Sequence, residues 1–176
     1  CFWGRFPVVR ASSLFYYAKG GDVAQILYAM KYHARKKLCC RMGEYMAGEL
    51  CDSGFFEGID YLLPVPLFSS RLRQRGYNQS ELLARGISCV TGIPLCTDAV
   101  VRSRNNATQT HKSGYARWQN VDRLFLPTPH AANLHDKHIL LVDDVLTTGA
   151  TLVACADALL GVENIKISVL TLAWAR

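Results

Sequence analysis

The 176-residue sequence lacks the features of a membrane-spanning or disulfide-stapled protein. It has no uninterrupted apolar run of about 18 residues, the length that a membrane-spanning helix needs. Arg5, Pro7 and Arg10 interrupt the only apolar stretch near the start, so no signal peptide is expected. Internal repeats and low-complexity tracts are also missing. These absences predict one ordinary globular domain.

The seven cysteines have no repeated spacing and form no C-x-x-C pair. The sequence therefore predicts neither a zinc site within this chain nor a disulfide framework. Cys39 and Cys155 lie among apolar residues of predicted helices, and we interpret them as small core residues. A reducing compartment, the cytoplasm, is the expected location.

Acidic residues are scarce in the longer, N-terminal part of the chain. Residues 1–123 hold 17 Lys and Arg against 9 Asp and Glu, whereas residues 124–176 hold 3 against 5. A basic surface attracts polyanions, and the charge alone does not distinguish nucleic acid from a phosphorylated small molecule as the partner. We interpret Lys36, Lys37 and Arg41 as a solvated helix face, with a nucleic-acid stripe as the less favoured alternative.

Strand patterns alternate with helix patterns along the chain, and this alternation predicts an α/β fold with a parallel sheet. A polar stretch at 102–120 has almost no periodicity and is predicted to be a functional or disordered loop. The strands are expected at 12–18, 59–63, 99–101, 138–142 and 165–172, and the helices at about 23–30 with Asp22 as N-cap, 35–50, 78–90 and 151–160.

The most informative segment runs from His138 to Thr151. Its apolar strand is followed by Asp143 and Asp144, at the carboxyl end of a strand where parallel sheets bind ligands. Two adjacent carboxylates are costly there unless they accept hydrogen bonds or hold a metal. The vicinal hydroxyls of a ribose, or magnesium carried by a phosphate, would supply these partners.

The residues after the acids are small and rich in hydroxyl groups: Thr147, Thr148, Gly149, Ala150 and Thr151. They lead into a predicted helix N-terminus, where backbone N–H groups and the helix dipole favour a phosphate. Either half of the segment alone favours a simple turn and helix cap. The ordered series matches the diol and the phosphate of a ribose 5-phosphate.

Paired aspartates after an apolar strand also occur in bacterial receiver domains. In those domains the pair lies near the start, and the phosphate-accepting aspartate comes later in the chain. Here only 32 residues follow Asp144, and the later acids are Asp157 and Glu163. The order of residues excludes this interpretation.

The segment resembles the signature of type I phosphoribosyltransferases, in which an apolar strand precedes two acids and a Thr-Thr-Gly phosphate loop. The resemblance implies that Asp143 and Asp144 contact the ribose hydroxyls with Mg²⁺, and that residues 147–151 hold the 5′-phosphate. It also implies phosphoribosyl pyrophosphate as the ligand, and a parallel sheet flanked by helices with a small N-terminal hood. Ala150 departs from the pattern, since many members carry a second glycine there.

A pyrophosphate site is expected at Pro64, Val65 and Pro66, because the corresponding loop binds pyrophosphate in type I phosphoribosyltransferases. A rigid turn explains these three residues equally well on their own. Arg71 and Arg75 lie just downstream, and guanidinium groups bind phosphates bidentately. We include both arginines in the predicted site.

The polar stretch contains Arg104, Gln109 and Arg117 and could close as a lid. A lid would matter because an oxocarbenium-like ribosyl centre is hydrolysed when water reaches it. The lid residues also belong to a wider pattern. Five segments together resemble the competence protein ComF family, also called GntX-like: Lys31-Tyr32, Pro64-Val65-Pro66-Leu67, Arg75-Gly76-Tyr77-Asn78-Gln79, the Arg104/Gln109/Arg117/Asn120 series and Asp143–Thr151.

Members of that family often carry a four-cysteine zinc ribbon ahead of this domain. By that resemblance we expect residues 12–176 to form the phosphoribosyltransferase domain and residues 1–11 to be a linker. Cys1 could be the last remnant of such a ribbon.

The resemblance implies a role linked to the uptake of single-stranded DNA, and two classes of function stay open. In a transferase, a nucleophilic base or amine would displace pyrophosphate at the anomeric carbon. A non-catalytic module would instead sense the ligand, or would partner single-stranded DNA or a translocation ATPase. No general base is apparent, because Thr147 rather than an acid opens the phosphate loop. The acceptor-reading residues are expected within residues 12–50.

Overall fold

The structure is a computed structural model that describes residues 6–32, 35–103 and 124–175. A four-stranded sheet forms its centre. The strands of the molecule are β1 (Val8–Tyr17), β2 (Tyr61–Pro64), β3 (Val100–Arg102), β4 (Phe125–Pro127), β5 (His138–Leu146) and β6 (Lys166–Ala175). The central sheet has the order β1-β6-β5-β2 with every neighbouring pair parallel, while β3 and β4 form a separate antiparallel pair.

Helices cover both faces of this sheet. They are α1 (Asp22–Tyr32), α2 (Lys36–Cys51), α3 (Ser69–Arg75), α4 (Gln79–Thr91) and α5 (Ala150–Asp157), with a 3₁₀ helix at Pro129–Leu134. None of the helices within the described ranges has the length and apolar character needed to cross a membrane.

The central strands are apolar on both sides, as expected for parallel strands between two helical layers. On one face, Ile139 and Leu141 of β5 pack in a core cluster with Leu152 of α5. On the other face, Leu140 and Val142 belong to a cluster with residues of α2 and α4. This double burial fixes β5 at the centre of the molecule.

Two glycines allow α2 and α4 to approach closely. A side chain at Gly43 would collide with the backbone carbonyl of Leu83, and one at Gly86 would collide with that of Cys40. Because interiors are packed without spare volume, neither helix could absorb such a collision without moving. The contact holds α4 at a fixed position relative to α2.

The predicted alternation of strands and helices is confirmed, but several boundaries were wrong. β1 begins at Val8 rather than Ser12, so residues 8–11 pair with β6 instead of forming a linker. β5 continues to Leu146, four residues beyond the predicted end, because its pairing with β6 continues to Trp174. Asp22 is the first residue of α1 rather than its N-cap.

Two further features were not predicted. The helix α3 was missed, and the strand expected at 99–101 proved to be β3, outside the central sheet. Residues 8–17, which include the start of the 12–50 range expected to read the acceptor, supply the edge strand β1 of the central sheet. The next helix, α1, ends beside the acid pair, where Lys31 pairs with Asp144.

Candidate functional site

The two acids lie inside β5 and are buried: Asp143 is 9% exposed and Asp144 is 3% exposed. Strand β2 flanks β5 on one side, with Pro64 in register with Val142. Strand β6 flanks it on the other side, with Thr171 in register with Asp143. Burial of two adjacent carboxylates is costly unless they are hydrogen-bonded, so their partners decide what the site can do.

Among the described residues, Asp143 is held through a single oxygen. Its Oδ1 accepts a hydrogen bond from the Ser80 hydroxyl at 2.9 Å and another from the Asp144 backbone N–H at 2.9 Å. Burial, followed by the neighbouring charge of Asp144, raises the pKa of Asp143 to about 7, although these hydrogen bonds and the charge of Lys31 act in the opposite direction. Burial and the charge of Asp144 therefore favour the neutral form of Asp143.

Asp144 is also held through one oxygen. Its Oδ2 lies 2.9 Å from the Lys31 ammonium and accepts a hydrogen bond from Gln79 Nε2 at 3.2 Å. The other end of the Gln79 amide, Oε1, accepts from Arg75 Nη1 at 2.8 Å. The amide is thus oriented between a guanidinium and a carboxylate, and Asp144 is fixed by two donors from different helices.

This arrangement leaves one oxygen of each acid available. Among the residues that the structure describes, none donates a hydrogen bond to Oδ2 of Asp143 or to Oδ1 of Asp144. A carboxylate oxygen accepts hydrogen bonds from hydroxyl groups. Two adjacent acids with one engaged oxygen each can therefore bind two neighbouring hydroxyls.

The residues that lead into α4 connect three parts of the molecule. Asn78 caps α4, since its Oδ1 accepts from the Ser80 N–H at 3.1 Å, and its Nδ2 donates to the carbonyl of Val65 at 3.0 Å. The Tyr77 hydroxyl donates to the carbonyl of Met30 at 2.6 Å. This segment joins the end of α1 and the end of β2 to the acid pair.

The predicted phosphate segment forms the turn between β5 and α5. Gly149 has φ 81° and is the N-cap of α5, and Thr147 and Thr148 are exposed at the turn. The Ala150 N–H donates to the Thr148 hydroxyl at 3.4 Å. N–H groups in the first turn of a helix have no acceptor within the helix, so this turn, which continues through Thr151, can bind an anion.

The predicted pyrophosphate segment lies at the same edge of the sheet. Pro64 ends β2 beside Val142, and the Val65 N–H donates to the Val142 carbonyl at 2.9 Å, with Pro66 next in the chain. The structure therefore brings residues 64–66 close to the acid pair.

The two arginines predicted with this segment have different surroundings. Arg71 is exposed on α3, whereas Arg75 is partly buried against Gln79 and the Tyr32 ring, 5.5 Å from the ring centroid. Arg75 orients Gln79, and Arg71 is the more accessible of the two.

The predicted lid residues Arg104, Gln109 and Arg117 lie outside the described residues. The arginine that precedes this segment in the sequence is Arg102 of β3, and its guanidinium lies 5.3 Å from the centroid of the Phe125 ring. Burial lowers the pKa of Arg102, while the charge of Asp143 raises it. A cation is therefore present on the β3 side of the acid pair.

Magnesium would have few protein ligands at this site. Within residues 6–32, 35–103 and 124–175, no three His, Cys, Asp or Glu side chains are grouped so that they could hold a metal. Asp143 and Asp144 offer two oxygens, and Lys31 already neutralises part of their charge. Mg²⁺ usually keeps several waters and binds through one or two carboxylates and the phosphates of a ligand. The acid pair fits that mode better than a protein cage.

Three residues of the site had no predicted role: Lys31, Gln79 and Ser80. Lys31 and Gln79 lie in segments that carried the family resemblance, and Ser80 opens α4 with Gln79. The available signal was the polar pair Gln79-Ser80 at the start of a predicted helix. The sequence did not indicate that their partners are Asp144 and Asp143.

Comparisons with known proteins match more than half of the chain to one domain family. A family model described as "Phosphoribosyl transferase domain" matches residues 73–175. Competence protein F of Haemophilus influenzae is 37% identical over 108 residues, which are 60% of this chain and 47% of that protein. DNA utilization protein YhgH of Salmonella typhi is 30% identical over 139 residues, which are 77% of this chain and 60% of that protein.

Competence protein ComFC of Bacillus subtilis is 34% identical over 99 residues, which are 56% of this chain and 38% of that protein. The chain thus spans between about two fifths and three fifths of the length of these three relatives. The matched family model covers the acid pair, the phosphate turn and the α4 residues that hold the acids. This chain belongs to the phosphoribosyl transferase domain family, in the ComF branch.

Proposed function

We propose that this chain binds phosphoribosyl pyrophosphate with Mg²⁺ at the carboxyl end of β5. The observation that carries the proposal is the pair of buried acids directly ahead of the Thr147–Thr151 turn, each held through one oxygen by the residues that the structure describes. The 2- and 3-hydroxyls of the ribose would donate to the other two oxygens. The 5-phosphate would accept hydrogen bonds from the turn and the first N–H groups of α5.

The pyrophosphate group would lie on the β2 side of the acids, near Pro64–Pro66. Lys31 and Arg75 provide positive charge at that side, and exposed Arg71 is free to move toward an anion. Mg²⁺ would neutralise charge on the pyrophosphate as it leaves. The protein's own contribution would be to orient the ribose and to stabilise the leaving group by fixed charges.

Binding is tested by titrating the full chain with phosphoribosyl pyrophosphate in the presence of Mg²⁺, using calorimetry. We expect saturable binding of one ligand per chain, and competition by ribose 5-phosphate. Xylose 5-phosphate is a suitable control, because its 3-hydroxyl points to the other side of the ring. Failure to bind, or equal competition by both sugars, would contradict the proposal.

Transferase activity is a further step of the same proposal. Mixing the chain with phosphoribosyl pyrophosphate, Mg²⁺ and single members of a panel of bases and amines should release pyrophosphate with at least one of them. If the ligand binds and no member releases pyrophosphate, a ligand-sensing module is the better description.

A role in DNA uptake is the second candidate, and a basic surface on α1 and α2 favours it. Tyr28 and Tyr32 are exposed on α1 with ring centroids 4.8 Å apart, and Lys36 and Lys37 are exposed at the start of α2. Aromatic rings and cations together suit single-stranded nucleic acid. The similar proteins are named for competence and for DNA utilization.

The DNA hypothesis predicts binding of a single-stranded oligonucleotide with a steep salt dependence. The variant Tyr32→Ser should weaken this binding, and Tyr45→Ser on the exposed side of α2 is the matched control. Binding that is independent of salt and of Tyr32 would exclude this surface as the DNA site.

A further inference from the structure

Lys31 directs its charge toward the interior of the candidate site. It lies in the last turn of α1, and its side chain is only 23% exposed. Its ammonium lies 2.9 Å from Oδ2 of Asp144, whose side chain is 5% exposed. Lysine usually keeps its ammonium in water, because desolvation of the charge is costly. The contact with Asp144 is therefore part of the site and differs from an ordinary surface salt bridge.

The neighbours of Lys31 on both sides in the chain are anchored. Met30 is fully buried, and its backbone carbonyl accepts a hydrogen bond from the Tyr77 hydroxyl at 2.6 Å. The ring of Tyr32 lies 5.5 Å from the guanidinium of Arg75. These contacts fix the end of α1, so the lysine stem begins from a defined position beside the acid pair.

The four carboxylate oxygens of the acid pair can be assigned one by one. Oδ1 of Asp143 accepts from the Ser80 hydroxyl and from the backbone N–H of Asp144. Oδ2 of Asp144 contacts Lys31 and accepts from Gln79. The other two oxygens receive no hydrogen bond from the residues that the structure describes, and in the proposed function they accept from the ribose hydroxyls. A metal ion bound directly to the acids would have to share an oxygen with one of these donors.

Lys31 also reduces the repulsion between the two acids. Adjacent carboxylates disfavour each other's charged form, and a cation close to them favours it. Burial and the charge of Asp144 raise the pKa of Asp143, and the charge of Lys31 lowers it. The ammonium therefore acts on both acids, although it contacts only Asp144. A bound divalent cation has the same electrostatic effect on neighbouring carboxylates.

We propose that Lys31 is a positioning residue that takes the place of a metal ion at the acid pair. The inference rests on the ribose-phosphate function proposed above and concerns how that site is held ready for its ligand. Lys31 keeps Asp144 charged and oriented, so the acids bind the ribose diol without Mg²⁺. The need for Mg²⁺ is then confined to the pyrophosphate group, since the phosphates of a ligand are its usual partners.

The test uses ribose 5-phosphate, which has the diol but no pyrophosphate. The full chain is titrated with this sugar by calorimetry, in Mg²⁺ and in EDTA at equal ionic strength. We expect the two dissociation constants to agree within about twofold. Phosphoribosyl pyrophosphate is the positive control for the metal, because it should bind more tightly with Mg²⁺. A gain of affinity for ribose 5-phosphate beyond that range on addition of Mg²⁺ would overturn the inference.

The variant Lys31→Met removes the charge and keeps most of the stem. In EDTA it should bind ribose 5-phosphate about tenfold more weakly than the wild type, because Asp144 loses a hydrogen bond between charged groups. Mg²⁺ should restore most of this affinity. A purely structural role of Lys31 would leave the loss unchanged by Mg²⁺, and that result would overturn the inference.

Two further variants complete the comparison. Lys31→Arg keeps the positive charge, so its affinity for ribose 5-phosphate should stay independent of Mg²⁺. Lys166→Met, at the exposed amino end of β6, is the matched control and should behave as the wild type. Denaturant titration shows whether each variant is folded. If Lys31→Met does not fold, the wild-type comparison of Mg²⁺ with EDTA still decides.

The failure of this inference can be distinguished from failure of the ribose-phosphate function. If ribose 5-phosphate binds neither with nor without Mg²⁺, that function is overturned, and Mn²⁺ then tests Lys31 by itself. The electron paramagnetic resonance signal of free Mn²⁺ decreases when the ion binds to protein. Binding of Mn²⁺ by Lys31→Met but not by the wild type would support the inference. Equal binding by the two proteins, or binding by neither, would overturn it.

Discussion

The two ends of β5 each bury a polar cluster, and the clusters differ in how completely the protein satisfies them. At the amino end, His138 Nε2 is hydrogen-bonded to the Ser168 hydroxyl at 2.9 Å, and its backbone N–H donates to Asp60 Oδ2 at 2.8 Å. The backbone of Gly58 also hydrogen-bonds the imidazole. At the carboxyl end, Asp143 and Asp144 are each engaged through one oxygen only, as far as the described residues extend.

Burial shifts the pKa values of these clusters in opposite directions, because in each case it disfavours the charged form. It lowers the pKa of His138 and raises that of Asp143 to about 7. The polar groups at the amino end find their hydrogen-bond partners within the protein, as is typical of a structural role. At the carboxyl end each acid has one oxygen without a hydrogen bond from the described residues, and a bound ligand could donate to these oxygens.

The largest expected effect comes from replacing the acid pair. Asp143→Asn with Asp144→Asn should weaken ribose 5-phosphate binding about 100-fold or more, because hydrogen bonds to charged groups contribute about 1.5–3 kcal/mol each. Calorimetric titration measures the change. Asp60→Asn at the amino end is the control, and it should keep the affinity. An unchanged affinity in the double variant would remove the acids from the site.

A smaller loss of affinity is expected when only the orientation of Asp144 changes. Gln79→Leu removes the amide that links Arg75 to Asp144, and we expect ribose 5-phosphate to bind about tenfold more weakly, the equivalent of roughly one hydrogen bond. Gln74→Leu, at an exposed position of α3, is the matched control. Equal affinities in the two variants would show that Gln79 does not position the acid.

Disrupting the amino end should reduce stability without reducing affinity. Ser168→Ala leaves the buried Nε2 of His138 without its partner, and the expected loss is about 1–2 kcal/mol in the free energy of unfolding. Denaturant titration measures it, with Ser69→Ala at an exposed position as the control. A loss of ligand affinity beyond about twofold would contradict the division between the two ends.

The smallest expected effect is a pH dependence of stability from His138. Burial lowers its pKa below the ordinary 6.5, so the neutral imidazole stabilises the fold above pH 6.5. This contribution is lost as the pH falls through the lowered pKa of the folded state. The stability difference between the wild type and His138→Asn should therefore shrink on acidification from pH 7.5 to 5. Asp143 titrates in both proteins and cancels in the difference.

If the stability difference between the wild type and His138→Asn stays constant or increases as the pH falls, His138 is not held in its neutral form. Unfolding free energies from denaturant titrations at several pH values provide the measurement.

The sequence indicated the elements around the acid pair well, because their residues are contiguous. Strand β5, the two acids, the Thr147–Thr151 turn and the start of α5 follow one another, and each has a local signature in composition and order. The helix α4 was also predicted with Asn78 at its start, since capping is a local interaction.

The contacts that shape the site could not be predicted in the same way. Ser80 and Gln79 reach Asp143 and Asp144 across 63 and 65 residues of sequence, and only the order of strands and the close α2–α4 contact bring them together. Aspartate disfavours strands, so β5 was predicted to end before the acids. Pairing with β6 outweighs that local preference.

The sugar hydroxyls provide the most direct test of the central claim that the acid pair binds a ribose diol. Calorimetric titration of the full chain with ribose 5-phosphate and with 2-deoxyribose 5-phosphate compares ligands that differ by one hydroxyl. The deoxy sugar lacks one hydrogen bond to a charged group, so we expect it to bind about tenfold or more weakly than ribose 5-phosphate. Equal affinities for the two sugars would contradict the assignment of Asp143 and Asp144 to the ribose.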